Sequence, residues 1–568
     1  MQSFLQYRRL RTVTQRQLDS KDRFSTSQDP EKGRQYSRNP SDSSIEKDAD
    51  ADEKAQEPAE ESEPIAEDHS TGAALGQSLT GVEVRQKKTN EPGDGKVFEV
   101  GWQGDDDPEN PHNWSLSKRT GATVLVACIG FIVGMASSID SSALKPAAME
   151  FGVAPVVESM ATGLFLIGFG VGAMFAGCLS ETVGRNPVYI VTLGLYMIFI
   201  MAAGLAPNIG AQLAFRFIAG CFAATPLVCA GGSLSDLWNP RERTISFVLF
   251  ANSSFTGPVL GPLIGGWIVE SPYLGWRWCE WITLIGSGLV TILVILFQPE
   301  TFSPILLTWK ARHLRAITGD DRYKAPAEVQ EKTFFETLKT SLARPFIMTA
   351  QEPIIILFAL YLTVIYIVLF TFLDGYDYIF GETYGLSGGL TGTCFAGIAV
   401  GVTLASALVP IIYRWQKQAL EERAKEGIDH LPPEFRLWYS MLGGAFAIPI
   451  SLFWMGWTAY PSVSIASPLI ASVFFGFGIL CVFITTYQYI IDSYETYAAS
   501  ALASVTMIRY MSAGGMTIVG IPFYENLGVH YTLTILACLS ALMVPVPYVF
   551  YKYGAKIRSK SKFATSKD

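Results

Sequence analysis

The sequence predicts an all-α integral membrane protein, with twelve transmembrane helices in two groups of six and a disordered N-terminal tail. Hydrophobic residues make up 49% of the 568 residues and charged residues only 17%, whereas soluble proteins carry about 25% charged residues. Uncharged apolar runs of about 20 residues, long enough to cross a bilayer, recur after residue 120. Basic residues gather in alternate loops between these runs. These three observations predict the fold class.

The first predicted region, residues 1–115, is rich in Ser, Asp, Glu, Gln and Pro. Residues 41–70 alone hold twelve acidic residues and two lysines, whereas the formal net charge of the whole chain is −8. Such a segment buries too little apolar surface to offset the entropy of the chain, so we expect it to be disordered. The acidic balance also excludes a general basic surface for nucleic acid.

The apolar runs define the remaining regions. A six-helix half over 116–298 is followed by a polar cytoplasmic linker over 299–350. A second six-helix half over 351–552 precedes a basic tail over 553–568. The predicted spans are 120–141, 158–179, 187–206, 211–234, 245–269, 279–298, 351–372, 389–412, 438–457, 465–486, 498–520 and 529–550.

The loop charges predict the orientation of these spans. With the N-terminus inside, the inner loops hold eight Lys or Arg between 310 and 344 and five between 414 and 436. Six more follow Tyr551, whereas the outer loops hold only Lys145 and Arg277. Basic residues accumulate on the cytoplasmic side of membrane proteins. We therefore expect both termini to be cytoplasmic.

The fifth predicted span contains "GPVLGPLIGG" (257–266), a stretch that disfavours helix in water. In lipid the backbone must bond within the segment, so a helix is enforced and Gly and Pro are tolerated. Gly257, Gly261 and Gly265 recur every four residues and share a face. A face without side chains lets another helix approach closely. Spacing alone leaves two interpretations open, a special kinked span and an ordinary seam of small residues.

Two further stretches accompany this one. "GCLSETVGRNP" (177–187) follows the second span, and "RFIAG" (216–220) lies inside the fourth. Together the three stretches resemble motifs of the major facilitator superfamily. The resemblance implies a gating loop and an antiporter motif, whose residues are Gly177, Glu181, Gly184 and Arg185 for the loop and Gly257, Gly261, Pro262, Gly265 and Gly266 for the motif.

Three shorter stretches narrow the resemblance to the fungal twelve-span drug:proton antiporters. These are "DPENPHNWS" (107–115), "GWRWCEW" (275–281) and "PET" (299–301). The loop motif departs from the family pattern at Glu181, where Asp is usual, and at Asn186, where a second basic residue is common. The corresponding loop of the second half, "SALVPIIYRWQK" (406–417), is degenerate. The resemblance covers about residues 105–555.

Charged residues within the spans are candidate transport residues, because a buried charge usually faces a cavity or a partner. The resemblance implies a role for Arg216 in proton coupling, where it would tune a nearby acid. Asp140 is the nearest candidate acid in the same half, and Arg509 lies midway along the eleventh span. The alternatives are structural ion pairs for the two arginines and an interfacial cap for Asp140.

The loop after the second span is a candidate latch, whose ion pairs would form in one gate state and break in the other. Glu181 and Arg185 are its candidate members. Asp236, Arg241 and Arg243 follow the fourth span on the same side and are candidates to join it. The alternative is that the arginines are ordinary positive charges of a cytoplasmic loop.

The resemblance implies a proton-driven carrier that exports small amphipathic organic compounds, such as fungal toxins or antifungal drugs. The expected partners are that compound, protons and the lipid membrane, for a monomer in the plasma membrane. No nucleophile, metal or nucleotide constellation appears, so we expect neither an enzyme nor a cofactor. Two alternatives stay open, a proton symporter for nutrient uptake and a transporter-like membrane sensor.

Overall fold

The structure is a computed structural model that describes residues 1–27, 82–86, 96–104, 106–329, 334–425, 427 and 431–564. It divides into two compact units. The larger unit contains 110–303 and 332–568 together with the first four residues. The smaller unit contains 5–109 and 304–331.

The larger unit is a bundle of apolar helices. Eleven helical stretches in the described residues are long and apolar enough to cross a membrane. The last has 61 residues and is interrupted at Gly528, whose φ of 73° and ψ of 171° are not helical. It therefore comprises an eleventh span (498–527) and a twelfth (529–558), which confirms the prediction of two groups of six. The other ten spans are Leu116–Phe151, Pro155–Val183, Arg185–Gly204, Ile209–Leu237, Arg243–Glu270, Trp278–Phe297, Pro353–Glu382, Gly388–Ala424, Pro433–Thr458 and Ala466–Tyr494.

Several spans are built from shorter helices. A 3₁₀ turn, Ile139–Ala143, divides the first span into Leu116–Ala136 and Leu144–Phe151. The seventh span is Pro353–Tyr376 continued by a π-helical turn, Asp377–Glu382. The eighth contains Gly388–Cys394, Ala396–Ala405 and Val409–Ala424, and the ninth ends with Ala445–Thr458. In the last stretch, helical hydrogen bonding runs over Ala498–Met543 and then Pro545–Lys560.

Glycines let the central spans approach closely. A Cβ on Gly168 or on Gly220 would meet the backbone of the facing helix, so the second and fourth spans pack almost backbone to backbone. A Cβ on Gly163 would stand 2.8 Å from the carbonyl oxygen of Gly514, which brings the second span against the eleventh across the two halves. Small-residue contacts of this kind are typical of helices packed in lipid.

The smaller unit has a core of its own. Strand β1 (Val82–Gln86) pairs antiparallel with β2 (Lys96–Val100), and β2 pairs parallel with β3 (Tyr323–Lys324). Helices Gln2–Ser27 and Ser303–Thr318 supply further apolar side chains. The buried cluster consists of Leu18, Phe98, Val100, Leu307, Ala311, Leu314, Tyr323 and Ala325.

Part of the region that is predicted to be disordered takes part in this core. Residues 2–27, 82–86 and 96–100 form regular structure within the region 1–115. Their apolar residues are too sparse to fold among themselves, and they bury against residues 307–325 of the linker, more than 200 positions further along the chain. Composition alone does not reveal such a distant partner. Residues 28–81 and 87–95, on which most of the disorder prediction falls, lie outside the described residues.

The linker and the C-terminal tail also contain helices. The linker holds Pro326–Val329 and Phe334–Gln351 besides Ser303–Thr318. In the tail, the hydroxyl of Ser561 and the backbone N–H of Lys562 donate to the carboxylate of Glu352, at 2.5 and 3.0 Å. Tyr494 donates to the same carboxylate at 2.9 Å. The tail is therefore tied to the start of the seventh span.

Candidate functional site

Arg216 of the fourth span is the centre of a buried charge cluster in the first half. Its Nη2 pairs with both Asp140 and Glu280. Its Nε donates to Oε1 of Glu280 at 2.8 Å, and its Nη1 donates to the carbonyl of Ala136 at 3.0 Å. Asp140 lies in the 3₁₀ turn of the first span and Glu280 in the first turn of the sixth. Three spans therefore meet at one guanidinium, and we call Arg216, Asp140 and Glu280 the Arg216 cluster.

The Arg216 cluster is closed off from solvent and holds more acid than base. The exposed fractions are 1% for Arg216, 6% for Asp140 and 0% for Glu280. Two carboxylates share one guanidinium, so the fully ionised cluster carries one uncompensated negative charge. An uncompensated charge is costly to bury. Protonation of one of the two carboxylates would remove this excess.

A third buried acid lies next to the cluster. Glu158, in the first turn of the second span, accepts a hydrogen bond from Nε2 of Gln212 at 2.8 Å. Gln212 stands one helical turn before Arg216, and both Gln212 and Glu158 are buried. Polar side chains thus continue from the Arg216 cluster along the second and fourth spans.

The structure brings together two of the three predicted coupling residues and adds one. Asp140 and Arg216 are ion-paired, whereas Arg509 lies elsewhere. Sequence reasoning missed Glu280, although it is in the stretch "GWRWCEW". Its place among the three tryptophans of this stretch, at the start of a span, is typical of an interfacial residue. The usable signal was a carboxylate just inside an otherwise uncharged apolar run.

Arg509 is enclosed by aromatic rings. The rings of Tyr366, Phe483, Tyr487 and Tyr510 have their centroids 4.5, 5.4, 5.1 and 4.9 Å from its guanidinium carbon. The side chain is fully buried, and its three nitrogens have no hydrogen-bond partner among the described residues. The hydroxyls of Tyr487 and Tyr510 lie close enough to the guanidinium to interact with it electrostatically. We call Arg509 and these four rings the Arg509 cage.

The contacts within the Arg509 cage do not fully offset the cost of burying the guanidinium charge. Cation–π contacts stabilise a desolvated guanidinium by about 2 kcal/mol at best, whereas burying an ion costs several kcal/mol. Ring faces offset part of this cost but accept no conventional hydrogen bond from the N–H groups. The donors of Arg509 therefore remain available to an acceptor.

A second ionic cluster joins the two halves at one face of the bundle. Asp492, at the end of the tenth span, pairs with Arg243 at the start of the fifth. Its other oxygen accepts from Nε of Arg436 at 2.5 Å. Arg436 also donates to the hydroxyl of Thr244 at 2.6 Å and to the carbonyl of Pro240 at 2.7 Å. We call Arg243, Arg436 and Asp492 the Asp492 gate, and its side of the bundle the basic face.

The gating-loop residues lie at the same face. Arg185 donates from Nε to Asp236 at 3.2 Å and contacts the hydroxyl of Ser180. Its ion pair is with Asp236, whereas Glu181 contributes to its electrostatic environment. Gly184 has a φ of 104°, a conformation that favours glycine. Of the other candidates for the latch, Arg243 is in the Asp492 gate, and Arg241 lies over the ring of Tyr413.

Glu300, in the stretch "PET", holds this loop in place. Its carboxylate accepts the backbone N–H groups of Arg185 and Asn186, at 3.0 and 3.1 Å, and those of Thr301 and Phe302, at 3.0 and 2.9 Å. The first two have no acceptor within their own helix, because they lie at the start of the third span. Burial raises the pKa of Glu300, although the backbone donors of Phe302, Arg185 and Asn186 favour the charged form. A motif noted only for its resemblance therefore acts as a helix cap.

The glycines of the fifth span face the first span. A Cβ on Gly257 would meet the carbonyl of Phe131, and one on Gly261 would meet the side chain of Ser138. A Cβ on Gly265 would stand 2.6 Å from the carbonyl oxygen of Ile139. The helix continues through Pro258 and Pro262 from Arg243 to Glu270. The predicted close approach is present, and it reaches the turn that carries Asp140.

The opposite face of the bundle also has contacts between the halves. Nζ of Lys145 pairs with Asp377 at 2.9 Å. A cavity of about 430 Å³ lies beside this pair, between the first, fifth, seventh and eighth spans. At its edge Glu270 accepts the backbone N–H of Gly389 at 2.7 Å. A Cβ on Gly266 would stand 2.8 Å from the carbonyl oxygen of Gly388. The halves therefore touch at both faces.

Two six-helix groups joined by contacts at both faces, with charge clusters buried between spans, define a polytopic membrane transport protein. The profile of the Major Facilitator Superfamily matches residues 126–517, and the chain belongs to that family. It is a non-enzymatic membrane transporter, integral to the membrane, for a small-molecule substrate.

Known proteins are similar over most of the chain. The MFS-type transporter kojT of Aspergillus flavus is 52% identical over 466 residues, 82% of this chain and 82% of that protein. The citrinin biosynthesis cluster MFS transporter mrr1 of Monascus ruber is 36% identical over 471 residues, 82% of this chain and 93% of that protein. Among solved structures, the proton:xylose symporter XylE has a TM-score of 0.56 at 15% identity, covering 78% of this chain and 96% of that one. The last likeness concerns the fold alone.

Proposed function

We propose that this protein is a proton-coupled efflux carrier for small amphipathic organic compounds, foremost a fungal toxin or other secondary metabolite, and alternatively antifungal drugs. The observation that carries the proposal is the Arg216 cluster, two buried carboxylates on one guanidinium. The similarity to the citrinin-cluster transporter supports the substrate class. The loop charges support a basic face in the cytoplasm, and the plasma membrane is the location that suits an exporter.

The Arg216 cluster would bind one proton, which would neutralise its excess negative charge. Asp140 and Glu280 come from the first and sixth spans, and Arg216 comes from the fourth. A relative movement of these spans changes the distances within the cluster and so its affinity for the proton. The glycine contact between the fifth and first spans extends to the turn that carries Asp140. A movement of the fifth span relative to the first would therefore shift this acid.

Alternating access follows from the two sets of contacts between the halves. Rocking of the halves opens one face while the other closes. The Asp492 gate holds the basic face closed, and Lys145 and Asp377 bridge the opposite face. Breaking one set and keeping the other would expose the region between the halves to one side of the membrane.

The test uses the purified full chain in sealed vesicles with an imposed pH gradient and a panel of antifungal drugs, fungal toxins and polyamines. We expect substrate movement opposite to proton movement, lost when the gradient is collapsed. Movement in the same direction as protons would make the protein a symporter. Binding without movement of any panel compound would favour the sensor. Either result would overturn the proposal.

A further inference from the structure

Six arginines are buried in the described part of the chain, and five of them contact a carboxylate. Arg185 pairs with Asp236, and Arg216 pairs with Asp140 and Glu280. The other three paired arginines are Arg243, Arg436 and Arg558, which contact Asp492 or Glu434. Arg509, with an exposed fraction of 0%, takes part in none of the ion pairs among the described residues. Among these six described guanidinium groups, Arg509 is thus the one that no carboxylate compensates.

The Arg509 cage lies where the two halves meet. Its rings belong to the seventh, tenth and eleventh spans of the second half. From the first half, Phe169 stacks on Tyr510 with centroids 4.2 Å apart. Phe255 of the fifth span contacts Phe483 with centroids 4.7 Å apart. When the halves part, these contacts separate, and the guanidinium and its rings become reachable by a compound between the halves.

We propose that Arg509 is the recognition residue for the transported compound, and that the compound is a flat organic ring bearing a carboxylate or an equally acidic hydroxyl, bound as its anion. A planar guanidinium donates two parallel hydrogen bonds to a carboxylate. The rings of Tyr366, Phe483, Tyr487 and Tyr510 offer flat apolar faces for a ring to stack on. The anion supplies the charge and the acceptors that the described residues do not place there.

This inference rests on the proposed transport function but not on its direction or its proton coupling. Acidic flat rings are a subset of the amphipathic compounds that the proposed carrier would move. Within that class, the positive charge of Arg509 favours compounds that bind as anions. A neutral or cationic ring would leave the guanidinium uncompensated and is disfavoured.

The test measures binding to the purified full chain in detergent at pH 7. The probes are benzoic, 1-naphthoic, 2-naphthoic, indole-3-carboxylic and quinoline-2-carboxylic acids, each paired with its primary amide. The amide has nearly the same shape and lacks the charge. Binding is read as the rise in the unfolding temperature and, for the naphthoates, as a change in fluorescence. A ligand that binds only the folded state raises that temperature.

We expect at least one acid to bind at least tenfold more tightly than its amide. Arg509→Gln should abolish this preference, and Arg509→Lys, which keeps the charge without the planar fork, should weaken it. Arg414→Gln removes an exposed arginine of the eighth span and should leave the preference unchanged. If Arg509→Gln does not fold, the acid-to-amide ratio of the unaltered chain still decides.

Three outcomes would overturn the inference: no acid binds the unaltered chain, acids and amides bind equally, or Arg509→Gln keeps the preference for acids. These outcomes are separate from a failure of proton-coupled export, because the assay contains neither membrane nor gradient. A carrier that moves only neutral compounds, in the direction opposite to protons, would overturn the Arg509 inference and still support the proposed function. An importer that prefers the acids would support the Arg509 inference and overturn the proposed export function.

Discussion

Asp492 of the tenth span contacts Arg243 of the fifth, so one carboxylate links the two halves of the bundle at the basic face. The same carboxylate holds Arg436 of its own half at 2.5 Å. Its side chain is 16% exposed, and the arginines are 7% exposed. A partly buried acid between two cations contributes more than a surface pair, whose typical worth is below about 1 kcal/mol. The state of the halves at this face therefore depends strongly on a single charge.

Asp492→Asn should open the basic face. The variant keeps the shape but leaves Arg243 and Arg436 uncompensated and repelling each other. Losing hydrogen bonds to a charged group costs about 2 kcal/mol, a shift of roughly 30-fold in an equilibrium between closed and open states. Ser246 is buried one turn inside the gate, so a cysteine there reports on opening. Its rate of maleimide labelling, followed by mass spectrometry, should rise at least tenfold.

The matched control for this experiment is Glu421→Gln. Glu421 is 63% exposed and pairs with Lys417 on the surface at 3.8 Å. Its neutralisation removes the same charge without touching the contact between the halves, so the labelling rate should stay unchanged. Equal labelling in Asp492→Asn and Glu421→Gln would show that the Asp492 gate does not control the basic face.

Gly261→Val should separate the fifth span from the first. A Cβ at Gly261 would meet the hydroxyl of Ser138 and stand 3.0 Å from backbone atoms of Met135 and Ile139. Backbone atoms cannot rotate away, and overpacking of this kind costs about 1–3 kcal/mol. We expect a lower unfolding temperature in detergent and impaired transport. Gly194→Val is the control, because a Cβ at Gly194 meets nothing within 4 Å.

An unfolding temperature for Gly261→Val equal to that of Gly194→Val would contradict the close contact. Both substitutions place a β-branched residue in a transmembrane helix, so the effect of helix propensity is shared. Only the tertiary contact differs between the two positions. The comparison therefore isolates the approach of the two helices from any general effect of valine.

The sequence predicted most of the bundle because lipid leaves the backbone few choices. A span must satisfy its N–H and C=O groups internally, so hydropathy alone locates the helices. The same constraint explains why Pro258 and Pro262 do not end the fifth helix. Glycines at a spacing of four indicated a contact face, and the structure identifies the first span as its partner. Regular local patterns were thus predictable.

Contacts between distant residues were not predictable. Glu280 has no sequence feature that ties it to Arg216, 64 positions away. The same holds for Asp492 and Arg243, which are 249 positions apart. Arg509 could be recognised as a buried charge from its span, but its lack of a carboxylate among the described residues depends on every helix around it. Pairing is a property of the packed bundle.

Glu300→Ala should loosen the loop between the second and third spans. The substitution removes the acceptor of four backbone N–H groups, two of them at the start of the third span. Buried donors left unsatisfied cost about 1–3 kcal/mol each, partly recovered when water enters. The unfolding temperature should fall by several degrees, more than in Glu422→Ala, which truncates an exposed acid. An equal fall in the unfolding temperature of the two variants would show that Glu300 does not cap the third span.

Glu280→Gln should uncouple transport from the pH gradient. The variant keeps the shape of the side chain and leaves Asp140 and Arg216 as a neutral pair, so the cluster no longer has an excess charge for a proton to balance. Gradient-driven accumulation of the compound found in the vesicle panel should fall at least tenfold. Exchange of labelled for unlabelled compound without a gradient should persist within about threefold.

Arg216→Ala should behave differently from Glu280→Gln. It leaves two buried carboxylates without a cation, and breaking a buried pair in this way costs about 3–5 kcal/mol. We expect loss of both gradient-driven transport and exchange, together with a lower unfolding temperature in detergent. Glu421→Gln, far less buried, should keep both transport modes and the unfolding temperature. If Glu280→Gln accumulates the compound as the unaltered chain does, the proton binds elsewhere and the Arg216 cluster is structural.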